Sequence, residues 1–218
     1  MSNDLEHAEE REAIVEYGLE LLAQGLSKGT GGNVSLRSGD SVAINPSGIA
    51  YDKIEAEDVP VVDVDGDQLV GDFEPSSETP MHTQIYRNRD DVGGIVHAHA
   101  PYATAFAMTG DAIPPSNYLV AYLGDEIPVA GWAQPGSEEL GQKVVDTLGE
   151  TNSSCLLQNH GLVAVGTDLE DAFNNAVITE LCAQTHYMAE GLGDPIVLSE
   201  DDMDEMMSQF EKYREQEK

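Results

Sequence analysis

The stretch Ile95-Val96-His97-Ala98-His99-Ala100 is an apolar run that ends in two histidines one residue apart. Alternate residues of a β-strand point to the same face, so both imidazoles would lie on one side of a strand end. A pair of metal ligands requires this placement. The alternative interpretation is a strand end with two partly buried, hydrogen-bonded histidines, and the stretch alone does not distinguish the two.

Strands and helices alternate irregularly around this stretch. The periodicity predicts helices over residues 5–26, 78–87, 101–108, 137–148, 169–191 and 199–217. It predicts strands over residues 34–37, 42–44, 61–64, 68–70, 155–158 and 162–166, and short strands or extended loop over 118–122 and 127–130. Hairpin turns join several strands, which indicates an α/β fold with a largely antiparallel or mixed sheet flanked by helices. Because no linker or repeat interrupts the pattern, residues 1–218 are expected to form a single domain.

The composition is strongly acidic, with 41 Asp and Glu residues against 10 Lys and Arg residues and a net charge of −31. Nucleic acids and anionic membrane surfaces need a basic footprint, so neither is expected as a partner. The acidic residues are dispersed along the chain, which is typical of a cytoplasmic protein of a halophilic cell, where salt screens their repulsion. An acidic surface for a basic partner is the alternative.

The sequence carries no sign of export or of membrane insertion. The first eleven residues are charged, and no apolar run approaches the roughly 18 residues of a spanning helix. We therefore expect a cytoplasmic location. Cys155 and Cys182 belong to no C-x-x-C motif and are expected to be buried free thiols, although one disulfide is possible in principle.

A third histidine strengthens the metal interpretation. His160 lies in a glycine-bounded turn between two apolar strands, an unusual place for a polar ring that does not face a site. If it meets His97 and His99, the result is three neutral imidazoles with an open fourth position, which is a ligand pattern of catalytic zinc.

Glu78 stands at a predicted helix start behind Ser76 and Ser77, either of which could be the N-cap. It could be an ordinary acid that favours the helix dipole, or a general base or exchangeable metal ligand, and spacing alone does not decide. His82 follows one turn later and is interpreted as a packing residue behind the site rather than a ligand. The two remaining histidines, His7 and His186, are predicted on exposed helix faces.

Three short stretches could hold a phosphate through small residues and backbone N–H groups, without a basic side chain. They are Gly32-Asn33, Ser47-Gly48 and Ser76-Ser77, and the third lies at a helix N-terminus. The sequence has neither a P-loop nor a G-x-G-x-x-G motif after a strand, so no nucleotide is predicted.

Five motifs occur in the order found in the class II aldolase/adducin family, which the chain resembles from about residue 12 to residue 213. They are Gly29-Thr30-Gly31-Gly32-Asn33-Val34-Ser35, Asn45-Pro46-Ser47-Gly48, Pro75-Ser76-Ser77-Glu78, His97-Ala98-His99 and Asn159-His160-Gly161. The resemblance implies a three-layer α/β/α sandwich around a largely antiparallel mixed sheet. It also implies a cyclic homotetramer with active sites at subunit interfaces.

The resemblance also implies roles for individual residues. One Zn²⁺ ion per subunit, or another divalent metal, would bind His97, His99 and His160, with Glu78 as the catalytic acid/base and an exchangeable ligand. Tyr118 of a neighbouring subunit would be the proton donor, and Tyr213 would close the site. The implied phosphate-binding residues are Gly32, Asn33, Ser47, Gly48, Ser76 and Ser77.

Within the family, the chain is most similar to the zinc-dependent aldolases that cleave L-fuculose 1-phosphate-like ketoses to dihydroxyacetone phosphate and an aldehyde through an enediolate. This chemistry needs no lysine, which suits a chain poor in lysine. The alternatives are an L-ribulose-5-phosphate 4-epimerase, another sugar-phosphate lyase or dehydratase of the family and, more remotely, a non-catalytic adducin-like module. The epimerases carry a histidine near the C-terminus, whereas no histidine follows His186 here.

Overall fold

The computed structural model describes residues 6–216. Its eight strands form one sheet in the order β4-β3-β2-β1-β5-β8-β7-β6. Neighbouring strands are antiparallel except β6 and β7, which are parallel. The strands are β1 (Asn33–Ser38), β2 (Ser41–Ile44), β3 (Val61–Asp63), β4 (Gln68–Val70), β5 (Gly94–Ala98), β6 (Val129–Ala130), β7 (Ser154–Leu157) and β8 (Gly161–Gly166).

Six α-helices cover the two faces of this sheet, as the three-layer prediction requires. The helices are α1 (Ala8–Ala23), α2 (Thr79–Asn88), α3 (Pro101–Thr109), α4 (Glu138–Leu148), α5 (Leu169–Glu190) and α6 (Glu200–Gln216). Buried side chains of α1, α3 and α5 belong to one hydrophobic cluster, and those of α2 and α4 belong to another. The predicted α/β/α sandwich with a largely antiparallel mixed sheet is therefore confirmed.

The two-residue period of β5 and β8 divides their side chains between the two clusters. In β5, Val96 and Ala98 face α1, α3 and α5, whereas Ile95 packs on the α2 side. All five residues of β5 are buried between β1 and β8. His97 shares the parity of Ile95, so this alternation directs it towards the side of the sheet that α2 covers.

Two local predictions were wrong. Residues 118–122 form a 3₁₀ helix rather than a short strand or extended loop, and Asn117 caps it by accepting a hydrogen bond from the backbone N–H of Leu119. The N-cap position of α2 is Glu78 rather than a serine. Residues 127–130, predicted as a short strand or extended loop, contain the strand Val129–Ala130. The expectation of free, buried thiols at both cysteines is confirmed.

No helix within residues 6–216 is both long enough and apolar enough to cross a bilayer.

Gly94 of β5 lies close to the start of α5, so we expect the stability of the fold to be sensitive to a side chain at this position. A Cβ atom on Gly94 would collide with the backbone of Asp168, the N-cap residue of α5, while Gly94 itself is paired with β1 and β8 in the sheet. We expect Gly94→Ala to lower the free energy of unfolding by about 2 kcal/mol or more. Gly131→Ala is the control, since its Cβ would meet no atom within 4 Å. Equal denaturant midpoints for the two variants at one salt concentration would contradict this packing.

Candidate active site

His97 is held by the strand that follows it in the sheet. Its ring is fully buried, and Nδ1 lies 2.8 Å from the carbonyl oxygen of Leu162 in β8. A carbonyl only accepts hydrogen bonds, so Nδ1 carries a proton and Nε2 is the nitrogen that faces the site. A backbone carbonyl that fixes the tautomer in this way is the usual support of a metal-binding histidine.

The three histidines of the sequence prediction lie together. His97 Nε2 is 3.1 Å from His99 Nε2, and the ring of His160 lies 4.7 Å and 5.1 Å from those of His97 and His99. One ring nitrogen from each histidine lies within 4.8 Å of those of the other two, so the three histidines could hold a metal ion. The turn at residues 159–161 brings His160 to the other two histidines. In this turn Asn159 has a φ of 58°, and a Cβ atom on Gly161 would collide with the carbonyl oxygen of Ala98.

Glu78 reaches the three histidines from the start of α2. It occupies the N-cap position of α2, but its side chain makes no capping hydrogen bond. Its Oε2 lies 3.0 Å from His97 Nε2 and its Oε1 lies 3.6 Å from His160 Nε2. Of the two interpretations of Glu78, the structure supports a residue of the site rather than a capping acid.

Burial and charge together set the protonation of this cluster. Burial raises the pKa of Glu78, but the charges of His97 and His160 and the hydrogen bond from Asn33 outweigh it, so the pKa lies well below its ordinary range. Burial, with a smaller contribution from His97, lowers the pKa of His99 and of His160 to about 4. His97 differs, because burial lowers its pKa but the adjacent Glu78 carboxylate raises it further.

The donor set fits a divalent metal ion with nitrogen and oxygen ligands, such as zinc. Three imidazoles and one carboxylate converge, and His99 and His160 are neutral in the neutral pH range, as metal binding requires. Glu78 Oε1 is buried and makes no hydrogen bond. A buried acceptor of this kind is costly without a partner, and a cation bound by the histidines would supply one.

Two loops beside the cluster contain four of the predicted phosphate-binding residues. The backbone N–H of Ser47 donates to the carbonyl of Glu74, and that of Ser76 donates to the carbonyl of Asn45. These two N–H groups join the loops to each other, so the sequence interpretation that they face an anion was wrong for both. Ser47, Gly48 and Ser77 are exposed at the joined loops, where the serine hydroxyl groups remain available.

Asn33 has a different environment from the one expected of a phosphate ligand. It lies opposite His97 in the β1–β5 pairing and is buried, with Nδ2 donating to Glu78 Oε2 at 2.9 Å. Its Oδ1 is in contact with His82 Nε2, and His82 Nδ1 lies 2.6 Å from Ser35 Oγ. Burial, followed by the charge of His97, lowers the pKa of His82 to about 3, so this ring is neutral.

Sequence reasoning assigned no role to Ser35 or to Tyr86, whose hydroxyl group lies 2.8 Å from Ser35 Oγ. The available signal was the spacing of Glu78, His82 and Tyr86, which lie four residues apart and therefore on one face of a helix.

The remaining predicted residues lie elsewhere. Tyr118 is 53% exposed and stacks on Phe210 of α6 with a ring separation of 6.1 Å. The side chain of Tyr213 lies outside the described part of the structure. His186, expected on an exposed helix face, is instead buried and bonded to the hydroxyl of Ser116 at 2.7 Å, because α5 packs this turn against the loop before residue 118.

Comparison with known proteins places this geometry in a family. A family model described as "Class II Aldolase and Adducin N-terminal domain" matches residues 12–187. The chain is 39% identical over 209 residues to a 5-deoxy-D-ribulose 1-phosphate aldolase of Bacillus thuringiensis, covering 95% of this chain and 98% of that protein. It is 34% identical to a 5-methylthioribulose-1-phosphate/5-deoxyribulose-1-phosphate aldolase of Rhodospirillum rubrum, covering 93% of this chain and 91% of that protein. A solved structure of an L-fuculose 1-phosphate aldolase superposes with a TM-score of 0.92 at 35% identity, covering 96% of this chain and all of that one.

The lowered histidine pKa values predict acid sensitivity of the metal-free protein. His99 and His160 titrate at about 4 when folded, but near the ordinary value of about 6.5 in the unfolded chain. Between these values the unfolded chain binds more protons, so the free energy of unfolding is highest above about pH 6.5 and falls as the pH drops towards 4. Denaturant titrations with a chelator at constant salt measure this slope. His160→Gln should flatten it, and an unchanged slope in that variant would contradict the assignment.

Proposed function

Because this chain belongs to the class II aldolase and adducin N-terminal domain family, we propose that it is a zinc-dependent aldolase that cleaves a ketose 1-phosphate to dihydroxyacetone phosphate and an aldehyde. The observation that carries this proposal is the convergence of three histidine nitrogens with the carboxylate of Glu78, which caps nothing in its own helix. An acid/base group beside a metal site is what reversible cleavage of a carbon–carbon bond next to a carbonyl requires.

The substrate class is defined by what the relatives' names share. L-fuculose 1-phosphate and 5-deoxyribulose 1-phosphate, two of the compounds named for the relatives, both carry a phosphate on C1, a ketone at C2 and a terminal methyl group. Cleavage between C3 and C4 gives dihydroxyacetone phosphate from either compound. The aldehyde is lactaldehyde from the first and acetaldehyde from the second. We propose 1-phosphorylated deoxyketoses of this kind, with L-fuculose 1-phosphate as the reference substrate.

Each residue of the cluster has a step in this reaction. A zinc ion on His97, His99 and His160 would act as a Lewis acid for the substrate carbonyl. In the cleavage direction a base removes the proton of the C4 hydroxyl, the C3–C4 bond breaks, and the electron pair stays with C3. In the cleavage direction Glu78, protonated by exchange with solvent, delivers this proton to C3, which balances the proton that the base takes from the C4 hydroxyl. In the reverse direction the ionised carboxylate removes a proton from C3. Its Oε2 lies 3.0 Å from His97 Nε2 and its Oε1 lies 3.6 Å from His160 Nε2, which supports this role for the carboxylate beside the proposed metal ion.

Phosphate binding is proposed for the loops that flank α2. Ser76 and Ser77 lie at the positive end of the α2 dipole, and the backbone pairing of the two loops holds Ser47 and Gly48 beside them. Gly32 lies at φ 76°, and a Cβ atom on it would lie 2.7 Å from the carbonyl oxygen of His97, so its proposed role is to let the chain pass close to β5 beside the site. Asn33 is proposed to reach substrate through the second hydrogen of its amide nitrogen.

Tyr118 is proposed as the group that exchanges the proton of the C4 hydroxyl in the active site of a neighbouring subunit. Its exposed ring on the protomer surface supports a role in another copy of the chain. Trp132, Met108 and Tyr187 are also more than half exposed, which supports a homotetramer in which such side chains are covered. Tyr213 is proposed to close the site from the end of α6.

The reaction is tested by incubating the zinc-loaded protein in high salt with a panel of phosphorylated ketoses. We expect release of dihydroxyacetone phosphate, loss of activity with a chelator, and recovery with zinc. Glu78→Gln should retain metal but lower kcat by about a hundredfold or more, because the acid/base step is lost. Epimer formation without release of dihydroxyacetone phosphate would support the 4-epimerase alternative. Full activity without metal would refute the mechanism.

The location of the proton donor is tested by subunit complementation. Tyr118→Phe should lower kcat with little change in KM, because the ring exchanges a proton and does not bind the phosphate. Random mixing of Tyr118→Phe and Glu78→Gln subunits in a cyclic tetramer would restore about a quarter of the sites, since each site takes the two residues from different copies. The mixed protein should therefore be more active than either variant alone. No gain in mixed tetramers verified by two affinity tags would place both residues in one subunit.

A further inference from the structure

We infer that His82 is a positioning residue for Glu78: it holds the amide of Asn33 in the orientation that donates a hydrogen bond to the Glu78 carboxylate. The inference rests on the acid/base role proposed above, because it concerns how that carboxylate is held. The residues involved form one buried chain between α2 and β1, which we call the α2–β1 relay. Its members are Glu78, Asn33, His82, Ser35 and Tyr86.

The relay is continuous and is shielded from solvent. Asn33 Nδ2 lies 2.9 Å from Glu78 Oε2, and Asn33 Oδ1 is hydrogen-bonded to His82 Nε2. Ser35 Oγ then lies 2.6 Å from His82 Nδ1 and 2.8 Å from the hydroxyl oxygen of Tyr86. His82, Ser35 and Tyr86 are fully buried, and the other two members are 3% and 7% exposed. Water therefore does not compete for these hydrogen bonds.

The donors and acceptors of the relay allow one order. An ionised carboxylate only accepts, so Asn33 must turn its NH₂ group towards Glu78 and its oxygen towards His82. That oxygen requires a proton on His82 Nε2, which leaves Nδ1 of the neutral ring as an acceptor. Ser35 must then donate its hydroxyl hydrogen to Nδ1. The Tyr86 hydroxyl lies 2.8 Å from Ser35 Oγ and also 3.1 Å and 3.4 Å from the carbonyl oxygens of Ser35 and Gly93, any of which can accept its hydrogen. The hydrogen bonds from Ser35 through His82 and Asn33 are therefore directed towards Glu78.

The relay follows from a match between the helix and strand repeats. Four residues of an α-helix advance about 6 Å, and two residues of a strand advance about 6.8 Å. Side chains at positions 78, 82 and 86 of α2 can therefore face those at positions 33 and 35 of β1 in register. Each helix residue meets a strand residue across the layer, and the Asn33 end of the row lies beside His97 in the sheet.

The two carboxylate oxygens of Glu78 differ in their hydrogen bonding. Oε2 is held by Asn33 beside His97, whereas Oε1 makes no hydrogen bond and points towards His160. Without a donor at position 82, the buried Oδ1 of Asn33 would be unpaired, which favours any rotation of this side chain that brings Oδ1 to another donor. Such a rotation would draw Nδ2 away from Glu78 Oε2. His82 thus keeps one oxygen fixed while the other stays free to exchange a proton.

The kinetic test compares two replacements of His82. His82→Phe removes the donor, and we expect kcat to fall about 10- to 100-fold with KM and bound zinc unchanged, as for other supports of a metal site. His82→Gln keeps an N–H group near the position of Nε2, and it should recover most of the loss. Thr83→Val is the matched control on the same buried turn, since the Thr83 hydroxyl bonds only to carbonyls of its own helix. This control should retain wild-type kcat.

Equal losses in the Phe and Gln variants, or loss of zinc from the Phe variant, would show a structural role and overturn the inference. If His82→Phe does not fold, Ser35→Ala replaces it, since it removes the donor to Nδ1 and should lower kcat by a smaller factor.

A second readout does not depend on the reaction. Histidine-selective ¹⁵N NMR of the metal-free protein reports which ring nitrogen of His82 carries the proton. We expect the Nε2–H form, assigned by the loss of its signals in His82→Gln, and the Nδ1–H form would overturn the inference. A protein with the expected tautomer that cleaves no ketose phosphate would refute the proposed reaction and leave the relay intact. An active aldolase with the opposite tautomer would do the reverse.

Discussion

The pairing of β5 with β1 on one side and β8 on the other is the constraint on which the site depends. It sets Asn33 opposite His97 and brings the carbonyl of Leu162 onto the same imidazole. A shift of one residue in either pairing would move His97 to the other face of the sheet, away from α2. The register is protected because β5 is buried on both faces, so such a shift would also misplace its apolar side chains. The packing of the core therefore also maintains the geometry of the site.

The site is held at a cost in stability. Four titratable groups, the three histidines and Glu78, lie together in a largely buried position, where burial opposes the charged form of each. Mutual attraction between Glu78 and His97 offsets part of that cost, and the α2–β1 relay supplies a directed hydrogen bond. The rest is left uncompensated in the metal-free chain, as the unpaired oxygen of Glu78 shows. A cation that binds these four groups would offset the remaining cost of their burial. Titratable groups held in such unfavourable surroundings are common at functional sites.

The electrostatics of the whole chain oppose those of its site. A net charge of −31 repels a sugar phosphate, and the screening length is about 10 Å at 0.1 M salt but about 3 Å at 1 M. Concentrated salt therefore confines this repulsion to a few ångströms around each surface acid. Under the proposed function, the phosphate would be held by contacts that act at hydrogen-bonding distance. The loops of small residues at the N-terminus of α2 would provide such contacts without a basic side chain.

The sequence by itself determined an α/β fold with a largely antiparallel or mixed sheet, most of its elements, and His97, His99 and His160 as candidate metal ligands. These follow from local patterns: apolar periods of two and of about 3.6 residues, turn residues, and histidines at a strand end and in a glycine-bounded turn. The three-layer sandwich and the catalytic role of Glu78 were expected only from the resemblance to the class II aldolase/adducin family, because spacing left Glu78 undecided. Only the tertiary structure decided what Glu78 and Asn33 contact, because those partners lie 19 and 45 residues or more away along the chain. The same holds for His82, Ser35 and Tyr86, whose sequence patterns fit ordinary core positions equally well. Their hydrogen bonds exist because α2 packs on β1 in register, a relation between distant segments that no local pattern encodes.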